Sequence, residues 1–307
     1  MKLYRFPFNA MGTACEIQLY AATETKAGRA VDAAIADVQR LESFYSRYRE
    51  SSFLSEINRV AAKGGSIIVD NETAGLLDYA ETCYRESDEL FDITSGILHH
   101  AWNFKSDQLP DEAVIQGLLD RVGWHKLRWA SPILKFPLPG MELDLGGVVK
   151  EYAVDRAATI CWNRGIQHGM VNLGGDIKII GPHADGSPWR IGIRHPRYPD
   201  TLLQTLELYS GALASSGDYE RCITINSIRY GHVLNPKTGW PARRMAAVSV
   251  VGDFCVIAGS ASTIGMLKEH QGKDWLEDLG LPHLWVDVDG HIGGSLTEEG
   301  ENVLEIG

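Results

Sequence analysis

Short apolar runs that stop at paired glycines limit most strongly what this chain can fold into. Met141 to Leu145 alternates like a short strand, Gly146-Gly147 breaks it, and Val148 to Arg164 has helical spacing closed by Gly165. Met170 to Leu173 and Ile177 to Ile180 read as strands on either side of a tight turn at Gly174-Gly175-Asp176. Glycine at a strand end lets backbone approach a ligand closely, and a helix beginning there offers free N–H groups to an anion. Each junction also has an ordinary reading. Asp144 can cap a plain strand–helix turn, and Asn172 to Asp176 can be a bulged hairpin.

Outside these junctions strands and helices mix without a regular βαβ period, which predicts an α+β fold of mixed sheets and helices. The opening predicts strand, turn and strand through Tyr20, with Gly12 as the break. Apolar residues from Ala30 to Phe44 at helical spacing predict one long helix over Lys26 to Tyr48. Further helices are predicted at Asn71 to Glu86, Pro110 to Arg121 and Asp253 to His270. Strands are predicted at Trp189 to Arg194, Leu203 to Leu208, Arg221 to Ile225 and Ala246 to Val251, with a final hairpin turning at Asp289-Gly290. No linker or repeat divides the chain, so residues 1–307 read as a single unit of two closely packed subdomains.

A net charge of −11 argues against nucleic-acid or anionic-membrane partners, and no run of about 20 apolar residues spans a bilayer. Such a chain can receive an anionic ligand only locally, through glycine turns, helix N-termini or a metal ion. Five scattered cysteines without a CxxC pair read as free thiols in a reducing compartment. With no leader-like run at the start, the expected location is cytoplasmic, or periplasmic if a leader was removed.

Three other segments stand out for chemistry. Ser215-Ser216-Gly217-Asp218-Tyr219 is a small polar run ahead of a strand that can bind phosphate or simply turn. In Tyr230 to Gly239, His232 sits before a proline-and-glycine turn, a loop-rim position suited to acid–base work. Phe91-Asp92-Ile93-Thr94-Ser95-Gly96 reads as a ligand-lining loop or an ordinary turn near a core Trp102. The GxSxG, HExxH and GxGxxG signatures are absent.

The order of the segments is more specific than any one of them. Met11-Gly12-Thr13, Ser46-Arg47-Tyr48, FDITSGILHHAWNF, LDLGGVVKEYAVD, VNLGGDIKIIG, ASSGDYER and GHVLNPKTGWP follow one another, ahead of an Ala/Ser/Thr-rich helix. This series resembles the ApbE-type flavin transferase family across about residues 9 to 271. The resemblance implies an FAD:protein FMN transferase that uses FAD and Mg2+, attaches FMN to a Thr or Ser hydroxyl of an electron-transport or reductase protein, and releases AMP. It implies that Met11 and Tyr48 line the flavin site and that Leu90, Phe91 and Asp92 make a strand-end contact. It further implies that Asp144, Lys150 and Leu234 touch FAD, that Gly147, Gly259 and Thr263 mark the metal site, and that His232 stands beside the reacting phosphate.

Two departures qualify the match. The family places a carboxylate where this chain has Gly259, and glycine where it has Glu151. Gly259 reads either as close packing or as loss of a metal ligand; on the second reading Gly259→Asp should improve magnesium binding. The alternative function is an FAD-binding storage or delivery protein that has lost full metal-dependent transfer.

Overall fold

The computed structural model describes residues 1–106 and 108–297 and the backbone of 303–304. Eight strands form the central sheet: β1 (Lys2–Ala10), β2 (Thr13–Ala21), β3 (Gly169–Leu173), β4 (Asp176–Gly181), β5 (Ala212–Gly217), β6 (Met245–Gly252), β7 (His283–Asp287) and β8 (Ile292–Gly293). They lie side by side in chain order, each antiparallel to the next. The helices are α1 (Glu24–Phe44), α2 (Phe53–Lys63), α3 (Asn71–Glu86), α4 (Glu112–Leu119), α5 (Gly146–Asn163), α6 (Cys255–Leu267) and α7 (Gly272–Leu279). Among the described residues none is long and apolar enough to cross a membrane.

Strand alternation assigns the faces of the sheet. Val171 and Leu173, Ala212 and Ala214, and Val248 and Val250 turn toward a core shared with α1, α5 and α6. Met170, Leu213 and Val251 turn to the other face, covered by the antiparallel pair Trp189–Arg194 and Leu202–Leu208. A smaller cluster gathers Ile97, Trp102, Ile115, Tyr230 and Leu234 between a 3-10 helix (Ile93–His100), α4 and the hairpin Cys222–Ile225/Ile228–Gly231.

The α+β expectation holds, and several local expectations change. Met141 to Leu145 is no strand. Its backbone is satisfied by the Asn58 side chain, which pairs with both N–H and C=O of Leu143, and by the Ile93 carbonyl, which accepts from Asp144. Gly146 and Gly147 do not precede α5; they are its first turn. α1 stops at Phe44, short of Tyr48, and α2 follows, with the Ser52 hydroxyl accepting from the Ser55 N–H as an N-cap. Ser215 to Gly217 does not lead into a strand but belongs to β5, paired with Ser249 to Ala247 of β6. The closing hairpin turns at Asp289-Gly290 as expected, with Gly290 at φ 89°.

One contact sets the relation of α5 to α6. The N-cap residue of α6, Phe254, offers no side-chain acceptor. Asp155 of α5 supplies it instead, accepting from the Cys255 N–H at 2.8 Å and the Val256 N–H at 3.0 Å. One turn earlier on α5, Glu151 lies against Gly259, one turn later on α6, so the two helices run antiparallel. Continued by another turn, the same register sets Gly147 opposite Thr263. Replacing Asp155 by Ala would orphan two helical amides. We expect a loss of about 1–2 kcal/mol in urea unfolding; an unchanged midpoint would show that the amides find another partner.

Candidate active site

The turn between β1 and β2, the chain after α1, the 3-10 helix, the start of α5, the edge of β4 and the end of the hairpin bring polar side chains to one end of the fold. At the turn Met11 has φ 52° and Gly12 φ 73°, and the Met11 N–H donates to Glu42 at 2.7 Å. A Cβ on Gly12 would lie 3.7 Å from the Arg221 guanidinium. Arg47 holds the opposite wall together. It donates to Asp144 Oδ2 at 2.7 Å, Glu142 Oε1 at 2.8 Å and the Gly96 carbonyl at 3.2 Å. Tyr48 stands beside it, 83% exposed, with the Arg47 guanidinium 5.8 Å from its ring centre.

His232 follows the hairpin and is half-buried, not exposed on a rim as expected. Its Nδ1 is enclosed without a hydrogen-bond partner. Burial, reinforced by the charges of Arg221 and Lys150, lowers its pKa from 6.5 to about 4, so the ring is a neutral base at pH 7. His99 lies among Arg47, Asp144 and His232 and is likewise pushed down, chiefly by burial.

Beneath these residues is a compact set of buried charges. Lys150 Nζ is 2.7 Å from Asp176 Oδ2 and 3.9 Å from Glu151 Oε1. The closer approach is a charge-assisted pair that commits Lys150 mainly to Asp176. Glu151 Oε2 is buried without a hydrogen-bond partner. Burial, then the charge of Asp176, pushes the Glu151 carboxyl up to about 7. Burial alone would lower the Lys150 ammonium, yet Asp176 and Glu151 overcome it and raise it. Alongside, Ser216 Oγ is 2.8 Å from Ser262 Oγ and 2.9 Å from Thr263 Oγ1, and the Ser262 hydroxyl donates to the Gly259 carbonyl at 2.9 Å.

The anticipated residues are used unevenly. Met11, Lys150, His232 and Thr263 present polar or half-exposed groups at this end. Asp144 caps the start of α5, accepting from the Gly146 N–H at 2.8 Å. Leu90, Phe91 and Asp92 are not at a strand end but in a loop ahead of the 3-10 helix. Phe91 packs toward Gly147, whose Cβ would lie 3.5 Å from its ring. Asp92 turns inward: its oxygens accept from the Thr94 N–H and hydroxyl and the Trp124 N–H, all within 3.0 Å. Leu234 spends its side chain in the third cluster. Sequence reasoning assigned no role to Arg47, His99, Asp176 or Arg221, although each lies inside a quoted segment, the paired histidines of FDITSGILHH being the plainest signal. A groove of about 650 Å³ elsewhere, lined by Arg197, Arg229, Arg243 and Arg244, shares none of these groups.

The ApbE family pattern matches residues 11–285. The chain belongs to the ApbE family. It is 32% identical over 249 residues to an FAD:protein FMN transferase of Chlamydia pneumoniae, covering 78% of this chain and 77% of that one. A Rhodobacter capsulatus protein of the same name is 30% identical over 264 residues; 83% of this chain is covered, but the match spans only half of the relative. The crystal structure of the Thermotoga maritima ApbE protein superposes with a TM-score of 0.86 at 31% identity, covering 96% of this chain and 98% of that one.

The electrostatics of His232 can be tested directly. By NMR the ring of the ligand-free protein should titrate near pH 4, and saturating FAD should raise that midpoint by offsetting Arg221 and Lys150. The unfolded chain binds this proton more readily, so His232's contribution to stability is full above pH 6.5 and is lost as pH falls toward 4. An ordinary midpoint near 6.5 would mean the ring is open to solvent.

Proposed function

We propose that this chain is an FAD:protein FMN transferase, acting as one unit over residues 1–307 on FAD and a protein acceptor hydroxyl. The observation that carries the reading is a neutral, enclosed His232 beside Arg221 and Lys150. A base held next to cations suits attack on a phosphate and suits little else in the fold. Acceptor Thr or Ser oxygen forms the new bond to the flavin-side phosphorus, the bridging P–O bond breaks, and AMP leaves. His232 takes the hydroxyl proton. Arg221 draws the pyrophosphate into place, Lys150, paired with Asp176, adds its charge from beneath, and the start of α5 adds the positive end of a helix. Met11 and Tyr48 at the mouth, with Asp144 and the backbone of the Leu90–Asp92 loop and of Leu234, are the FAD contacts on this reading.

A divalent ion fits the residues present. The enclosed Glu151 Oε2 has no hydrogen-bond partner, and the facing helix and strand carry the hydroxyls of Thr263, Ser262 and Ser216, an oxygen set that suits a hard cation. Gly147, Gly259 and Thr263 mark its place, and Mg2+ there would neutralise charge developing on the phosphate oxygens. The storage-protein alternative is not favoured, because the relatives are named transferases and the base is intact. Four of the five cysteines are buried, with Cys161 pushed up to about 12 by burial, which supports a cytoplasmic home for unreactive thiols.

The test is to incubate protein, FAD, Mg2+ and an acceptor-loop peptide and weigh the peptide for an added FMN. His232→Ala should keep FAD binding and slow transfer by roughly 10²–10⁴. A variant as fast as the parent would make His232 structural. Calorimetry should show FAD bound more tightly than FMN; equal binding would count against a dinucleotide site.

A further inference from the structure

At Gly259 the helix α6 has no side chain, and a Cβ built there would lie 2.4 Å from Glu151 Cγ and 3.1 Å from Glu151 Cδ. Real Cβ atoms do not approach so closely. Glu151 therefore occupies the volume that a side chain at 259 would need. The residue is 8% exposed, and its Oε2 is buried without a hydrogen-bond partner.

An ordinary counter-ion does not account for this group. The nearest cation, Lys150, is 2.7 Å from Asp176 and 3.9 Å from Glu151, so its charge is committed mainly to Asp176. A buried carboxylate with an unpartnered oxygen is costly to fold, and it persists where something else satisfies it. Asp176 acts on it through its charge, and the helix facing it carries the Gly259 carbonyl, which accepts from Ser262, and Thr263 one turn further on. An oxygen cluster that is anionic, enclosed and one cation short calls for a metal ion.

We propose that Glu151, reaching from α5, supplies the metal carboxylate that Gly259 cannot supply from α6, so that the two residues form a matched exchange across one helix contact. This rests on the metal site of the proposed function. It reverses the simple expectation from sequence: Gly259→Asp alone does not restore a missing ligand but collides with the residue already there.

Mn2+ serves as the probe, titrated into protein with AMP present and read by electron paramagnetic resonance, with melting temperatures recorded in parallel. The parent should bind Mn2+; failure of the parent to bind would sink the metal reading itself. Glu151→Gln should weaken binding by about tenfold or more, equivalent to about 1.4 kcal/mol or more. Without metal it should melt at or above the parent's temperature, because it removes an uncompensated buried charge. Gly259→Asp should melt lower than the parent, and Glu151→Gly with Gly259→Asp should recover both stability and Mn2+ binding. Parent-like Mn2+ affinity in Glu151→Gln would overturn the exchange. So would a lower melting temperature for that variant in the absence of metal, which would make Glu151 a structural ion-pair partner. If the double variant does not fold, the Gln variant alone decides.

Discussion

The close antiparallel contact of α5 with α6 is the constraint on which the rest of the site depends. Asp155 reaches across to take the first two amides of α6, which fixes the register, and Gly259 removes the side chain that would hold the helices apart. Opposed in this way, the helices bring unlike ends together. α5 begins at the cleft with the exposed Gly146 and Gly147, while α6 arrives there with its C-terminal half, at Thr263. The first favours an anion and the second a cation. A phosphate and a metal can therefore lie side by side with no extra basic residues, which reconciles an acidic chain with an anionic substrate.

Most local cations are already committed. Arg47 is spent on Asp144 and Glu142, and Lys150 on Asp176. Arg221 makes no salt bridge among the described residues, which leaves it for the ligand. Because Arg221 also opposes a proton on His232, the two roles are coupled. An anion that neutralises Arg221 raises the proton affinity of the imidazole, so the base strengthens when phosphate is present. In the empty site the same residue keeps the ring neutral and ready to accept.

Where local physics fixes structure, the sequence was legible. The strand expected at Trp189–Arg194 and the helix expected at Asn71–Glu86 keep their bounds, the first alternating between buried and exposed residues and the second capped by Asp70. α2 went unread, although Ser52 caps it and Leu54, Ile57 and Ala61 share a face. Met141 to Leu145 misleads for a physical reason. Alternation reports which side chains are buried but not what satisfies the backbone, and here an Asn58 side chain does the work of a neighbouring strand. Asp92 shows the same limit at the site, since a carboxylate in a motif looks like a ligand contact until its three donors are seen.

Gly259 is the most instructive case because each half of its evidence misleads alone. Read along the chain, a missing carboxylate at 259 and a surplus one at 151 are separate oddities more than 100 positions apart. In space they are one contact. A metal ion requires negative oxygen at a point, and helices packed in register offer that point two addresses, one on each. Moving the carboxylate from one address to the other preserves the oxygen only if the vacated position becomes small, because both side chains claim the same volume. A glutamate reaching across from α5 is longer than an aspartate on α6 would be, and glycine is the residue that leaves it room. The physical requirement therefore couples the two positions, while position-by-position comparison treats them as independent.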